Sequence, residues 1–457
     1  MANWAGGYPS EERYLDTIQL NTTPTIMDAG LLAQGLALPH GAGAYRYCEL
    51  GCGTAFSMTA LAASNPQSTF EGYDIMPEHV VRAMSLIEEA GLSNIEVKEA
   101  SFEELLAGPA PEPFDYMVLH GVWSWVSAEN QGFLVELLAR WLKPGGVAYI
   151  GYSAAAGWMS LGPMRRLFRE LPPGPPDSPY GPARAAVEAY IKLHPGSEVA
   201  QKWERYRDLP DSYLAHDFGA SEASAQWPTE MAAALAPAKL TYLCPANLIE
   251  QFGPLLYNPD QLQFIGQAMQ EGWGETARDL ATEATFRGDL YGKGIPRVPS
   301  KETWRRLSQM TLTQWRPCLK SEKQHSVLST LRPWDEAMVA RIDAVFAKGE
   351  MTVADFVEKL ALPQKEGLQM ALALLARDEA CVVRPAAEVA AANEGLAGFQ
   401  AALKRRHLDG ASLPGVASAR LMGPKQLSDA ELDALFGVAE PDAQTSEGFA
   451  QLALPEV

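Results

Sequence analysis

Glu49-Leu50-Gly51-Cys52-Gly53-Thr54 decides how this chain is read. An apolar run over 45–50 ends in two glycines separated by one residue, and a helix is expected over 56–64. A second strand-like run then delivers Asp74. A strand, a glycine turn, a helix and an acid closing the next strand build a site for a ribose-containing cofactor at the carboxyl edge of a parallel sheet. The dinucleotide fingerprint needs a third glycine three residues after the second, where helix and strand pack closely. That position is Phe56, which disfavours a nicotinamide dinucleotide.

Outward from this turn, strands are expected at 45–50, 69–74, 94–99, 115–120 and 147–152, with helices at 56–64, 78–90, 102–106 and 130–142. In the last of these helices Phe133, Leu134, Leu137, Leu138 and Trp141 share one face. Strands alternating with helices predict an α/β fold, a doubly wound and mostly parallel sheet with right-handed crossovers. Six prolines between Pro172 and Pro182 rule out a regular helix there. Beyond them the chain reads as mainly helical, with a strand-like run at 239–244 and a strand or turn at 286–294. Over 334–384, three helices followed by a β-prone stretch suit a winged-helix-like unit. The expected organisation is a helical segment over the cofactor site (1–40) and a cofactor-binding core (41–156). A lid or homodimer insertion returning to the sheet (157–245), a middle domain (246–330) and a winged-helix-like domain with its tail (331–457) follow.

The 457 residues are 47% hydrophobic and 20% charged, which supports well-filled cores. A net charge of −19 repels phosphate backbones and acidic membranes and attracts a cationic substrate such as a lysine-rich surface. Acidic residues outnumber basic ones in the winged-helix-like segment too, so protein contact is expected there rather than DNA. Five widely spaced cysteines, no leader and no long apolar run point to a reduced, cytoplasmic protein. Cys48 and Cys52 lack partner ligands nearby, and no metal site is expected.

Two further blocks join the glycine turn: the strand Phe114-Asp-Tyr-Met-Val-Leu-His120 and the helix-to-strand turn Leu142-Lys-Pro-Gly-Gly146. Together they resemble the class I methyltransferases that use S-adenosylmethionine, a Rossmann-like family. The segments His120-Gly-Val-Trp-Ser-Trp-Val-Ser127, Ile150-Gly-Tyr-Ser-Ala-Ala-Ala-Gly-Trp158 and Gly162-Pro-Met-Arg165 narrow the likeness. So do Tyr213-Leu-Ala-His-Asp217, Ala238-Lys-Leu-Thr-Tyr-Leu243 and Phe286-Arg-Gly-Asp-Leu-Tyr-Gly-Lys-Gly294. They are similar to bacterial methyltransferases with a methyltransferase regulatory domain, among them the rickettsial-type protein lysine methyltransferases. Relatives often carry asparagine where this chain has Ser153.

The resemblance implies S-adenosylmethionine as cofactor. It assigns Glu49, Gly51, Cys52, Gly53 and Thr54 to the cofactor turn, Asp74 to the ribose and Ile75 to one adenine face. Ser101 and Phe102 fall beside the adenine, and His120 and Gly121 beside the methionine portion. An ionised acid suits two hydroxyl donors, because charge-assisted hydrogen bonds are roughly twice as strong as neutral ones. Tyr152 and His120 are the expected catalytic residues, with Trp123, Trp125 and Trp158 walling the acceptor. The expected reaction is methylation of protein lysines; a small-molecule or glycan acceptor is the alternative. No Asn-Pro-Pro-Tyr follows the fourth strand, which argues against methylation of exocyclic base amines.

Overall fold

Strands buried on both faces must be covered by helices on both sides, and short apolar runs separated by amphipathic segments supply both. The computed structural model describes residues 16–40, 43–175, 177–219, 223–316, 318, 335–438 and 452. Its main sheet contains β1 (Arg46–Leu50), β2 (Thr69–Asp74), β3 (Ile95–Glu99), β4 (Phe114–Leu119), β5 (Leu142–Ser153), β6 (Thr241–Pro245) and β7 (Phe286–Gly292). The strand order is β3-β2-β1-β4-β5-β7-β6. β1 to β5 run parallel, and β7 lies antiparallel between β5 and β6. Chain order reverses between β1 and β4, so the connections leave in opposite directions and open a crevice at the carboxyl ends.

Five helices flank these strands: α1 (Pro24–Ala33), α2 (Phe56–Ser64), α3 (Pro77–Ala90), α4 (Phe102–Ala107) and α5 (Ala128–Trp141). Along β4 side chains alternate between two cores. Tyr116 and Val118 join Met58 and Phe70 on one face, while Met117 and Leu119 join Leu134, Leu138 and Trp141 on the other. The bounds of β2 and α2 coincide with expectation. β5 starts earlier than expected, at Leu142, because Leu142 pairs with Phe114 and Gly145 N–H donates to Lys293 O at 2.7 Å. The segment expected as strand or turn near 286 is β7, paired on both edges. The first helix stops at Ala33, short of the end of the helical segment expected over 1–40, and Leu36 bridges to Arg297 instead.

After β5 come α6 (Ala155–Ser160), α7 (Gly162–Glu170) and α8 (Gly181–Leu193), with the proline-rich run between α7 and α8. Trp158, Met164, Phe168, Val187, Trp203 and Phe218 give this insertion a core of its own. A small antiparallel sheet, β8 (Thr311–Gln314), β9 (Met351–Thr352) and β10 (Ala380–Val382), runs in the order β10-β8-β9 beside helices Glu336–Phe346, Val353–Lys359 and Gln364–Ala376. Its central strand, β8, comes from ahead of residue 331, so the sheet crosses the boundary expected there. The helix Ala386–Leu408 then packs on α2 and α3. Arg384 pins this connection by donating to Ser64 O at 2.8 Å and Asn65 Oδ1 at 2.7 Å. Among the described residues no helix is long and apolar enough to cross a membrane. The polar start before residue 16 and nearly all of the tail after 438 lie outside the described residues.

Candidate active site

At the end of β1 the chain turns sharply at Gly51, where φ is +70° and the N–H donates to Tyr73 O at 2.7 Å. A Cβ on Gly51 would lie 2.4 Å from Val122 Cγ2, so only glycine lets the turn meet the loop after β4. Gly53 N–H donates to Asp74 Oδ2 at 2.7 Å, and Met76 N–H donates to Oδ1 at 2.9 Å. His79 Nδ1 also lies 3.2 Å from Oδ1. A carboxylate oxygen has two lone pairs, and Oδ2 keeps one for a bound hydroxyl.

A cleft of about 1060 Å³, measured out to its mouth, opens above this turn. Glu49, Gly51, Cys52, Gly53, Thr54, Asp74, Ile75, Ser101, Phe102, His120 and Gly121 all line it. The Phe56 side chain is buried and meets Phe399 of the C-terminal helix, ring centroids 6.1 Å apart. Ser101 caps α4: its Oγ accepts from Glu104 N and donates to Glu104 Oε2 at 2.8 Å. That use of the hydroxyl leaves one acceptor lone pair for a ligand.

Burial, followed by the neighbouring Asp74, pushes the Glu49 carboxyl up to about 8. His120 closes β4 against Tyr149, whose hydroxyl lies 3.0 Å from Nδ1, and against the edge of Phe286. This enclosure pushes the imidazole down to about 4, so it is neutral near pH 7.

Three expected residues are not brought to the cleft. Tyr152 is fully buried and donates to Asp289 Oδ2 at 2.8 Å. Arg287 binds the same carboxylate, at 2.8 Å and 3.0 Å, and reaches Asp279 and Glu275. Burial foremost, with Asp289 next, holds the Tyr152 phenol well above its usual range, so it does not serve as a base. Trp123 is 2% exposed in the core beneath α5 and β5. Trp158 belongs to the insertion core, its Nε1 donates to Thr285 O at 2.8 Å, and Arg165 stacks 4.0 Å above its ring.

Further residues line the cleft beyond those assigned to the cofactor. Val122, Trp125, Val126 and Asn130 form the wall beyond His120, and His79 stands behind Asp74. The 3₁₀ turn Trp123–Trp125 sends Trp123 inward and Trp125 to the cleft, an assignment that sequence alternation does not make. Thr17 and Gln19 strap the opposite side. Gln19 N–H donates to Ser57 Oγ at 3.0 Å, and Asp16 is held by Thr54 Oγ1 at 2.5 Å and by Arg82. Only their covering role was legible, as a segment ahead of the core.

Residues 42–172 match the family described as methyltransferase domain, and residues 210–293 match the predicted methyltransferase regulatory domain. The chain carries a methyltransferase domain. An uncharacterized protein of Synechocystis is 28% identical over 301 residues, 64% of this chain and 59% of the relative. One from Rickettsia prowazekii is 32% identical over 123 residues, 27% of this chain and 47% of that protein. The chain therefore spans roughly half the length of these curated relatives, between 47% and 59%. The structure of PKMT2 from Rickettsia typhi in complex with AdoHcy superimposes with a TM-score of 0.68 at 18% identity, over 93% of this chain and 88% of that one. This likeness is one of fold, and it runs through the C-terminal regions as well as the methyltransferase domain.

The residues present fit S-adenosylmethionine. The turn at Gly51 has no room for a side chain, Asp74 retains acceptor capacity beside it, and Glu49 is an acid enclosed in the same wall. A ribose and a cationic amino-acid sulfonium are matched by those three features.

Proposed function

We propose that this protein transfers a methyl group from S-adenosylmethionine to lysine side chains of a protein substrate. The observation that carries the proposal is the cleft itself, in which the glycine turn, Asp74 and Ser101-Phe102 adjoin His120-Gly121 and the wall of Val122, Trp125 and Val126. S-adenosylmethionine, when bound, supplies a methyl group on a sulfonium that leaves as a neutral thioether. The chain's own work is alignment: the Gly53–Asp74 hydrogen bond fixes the ribose side, and Thr54, donating to Asp16, ties the segment ahead of the core to the same turn.

A lysine amine has a reference pKa near 10.4 and must shed its proton before it attacks. The apolar wall disfavours the ammonium by desolvation. The Trp125 face, in turn, favours the methylated cation once formed, by roughly 0.5–2 kcal/mol. The net charge of −19 favours encounter with a basic protein surface. The fold likeness to PKMT2 over nine-tenths of the chain supports a protein acceptor as well.

Mass spectrometry of proteins from cells with and without the gene tests the proposal. Methyl-lysine peptides present only with the gene are expected. A methylated small molecule or glycan, with no gene-dependent protein methylation, would replace the lysine reading with the alternative acceptor.

A further inference from the structure

Two motifs outside the nucleotide side of the cleft converge on His120. β5 contributes Tyr149-Ile150-Gly151, and β7 contributes Phe286-Arg287-Gly288. In the antiparallel register Gly151 stands directly opposite Gly288. Two facing glycines leave a slot without side chains on that face of the sheet. A Cβ on Gly151 would lie 2.9 Å from Phe286 Cζ and 3.3 Å from His120 Nδ1. A Cβ on Gly288 would lie 2.6 Å from Tyr149 Oη. The slot is therefore filled by the Tyr149 hydroxyl and the His120 ring, with Phe286 edge-on at 5.6 Å.

The hydrogen bond between them has a direction. Burial holds the Tyr149 phenol well above its usual range, so it stays protonated. Its hydroxyl proton needs an acceptor, and among the described residues that acceptor is His120 Nδ1, at 3.0 Å. An Nδ1 that accepts is bare, which places the single proton of the neutral ring on Nε2. Nε2 is then the ring nitrogen left to meet a bound molecule.

We propose that Tyr149 is a positioning residue that locks His120 in the Nε2–H form, so that His120 donates a hydrogen bond to an oxygen atom and does not take the acceptor's proton. This rests on reading the cleft as a methyl-transfer site. An attacking amine needs its lone pair, so an N–H aimed at that nitrogen would oppose the reaction. The partner is a carboxylate or carbonyl oxygen, carried either by the methyl donor or by the acceptor beside its amine.

Nitrogen NMR of histidine-labelled full-length protein tests the lock without any activity. Near pH 7 a protonated Nε2 and a bare Nδ1 are expected for His120, with both tautomers populated in Tyr149→Phe. A proton on Nδ1 in the unaltered protein would overturn the proposal, and this holds whether or not lysine proves to be the acceptor. His120→Gln, which keeps an N–H donor but has no basic nitrogen, is expected to retain turnover to within about tenfold, whereas His120→Ala loses more. Equal losses of about a hundredfold or greater in both would assign His120 as the base and overturn the proposal. Calorimetry on His120→Ala locates the oxygen: weakened S-adenosylmethionine binding places it on the donor, and unchanged binding with reduced turnover places it on the acceptor.

Discussion

Gly53 donates its backbone N–H to Asp74 Oδ2 at 2.7 Å, which makes the glycine turn after β1 and the acid ending β2 a single hydrogen-bonded unit. Removing Asp74 therefore does two things: it deletes the ribose acceptor and orphans the Gly53 and Met76 amides. Asp74→Ala is expected to weaken S-adenosylmethionine binding about a hundredfold or more, because charge-assisted hydrogen bonds contribute about 1.5–3 kcal/mol each. Isothermal calorimetry reads the loss, and undiminished affinity would remove Asp74 from the site.

Glu49, with its carboxyl pushed up to about 8, is mostly protonated in the free protein at pH 7. A cationic ligand in the same cleft favours the ionised form and lowers that pKa. Binding should therefore release protons at pH 7, and affinity should rise with pH until about 8, where the free carboxyl is itself ionised. Calorimetry in two buffers of different ionisation enthalpy measures the release. In Glu49→Gln the proton release should vanish.

Tyr152 serves the sheet and not the chemistry. Tyr152→Phe removes one donor from buried Asp289, at a cost of about 1–3 kcal/mol that lowers the melting temperature. Turnover per folded molecule should stay within a few-fold of the unaltered protein. A collapse of turnover in a well-folded Tyr152→Phe would return the residue to the active site.

Arg287 is the cation that compensates Asp289 and Asp279 in the interior behind β7, and it shares Glu275 with Arg278. Arg287→Met should destabilise the fold by about 3–5 kcal/mol at pH 7.5, since it leaves the buried Asp279 and Asp289 carboxylates without their cation. Burial already pushes Asp279 up to about 6, and Arg287 is the leading influence that lowers it. Without the arginine the folded-state carboxyl rises further above its unfolded value near 3.9. An acid raised on folding loses stability as pH rises from the unfolded to the folded pKa, so the deficit should shrink toward pH 5.5. Urea titrations at the two pH values check the sign.

The local patterns around the glycine turn read correctly because they are short-range. A strand, a turn with no room for a side chain and an acid on the adjacent strand are joined by contacts that β1–β2 pairing dictates. The residues assigned to the cofactor by motif all line the cleft, those after β3 and β4 being brought there by the pairing of these strands with β2 and β1. The acceptor side was harder to read. Trp123 and Trp125 differ only in which side of a 3₁₀ turn they occupy, and Tyr152 differs from Tyr149 only in the face of β5 it shares. The choice between the tyrosines depends on partners on other strands, Asp289 for Tyr152 and His120 for Tyr149. Phe56 likewise meets Phe399, more than three hundred residues away in sequence. β8 joins strands that follow it at 351 and 380, and periodicity within 311–314 does not announce that pairing.

The most direct measurement is incubation of the purified full-length protein with methyl-tritiated S-adenosylmethionine and a lysate from cells lacking the gene. Label on protein bands that yields radioactive methyl-lysine after hydrolysis, and that is absent with Asp74→Ala, is the predicted result. Label confined to small molecules, or undiminished by Asp74→Ala, would contradict it.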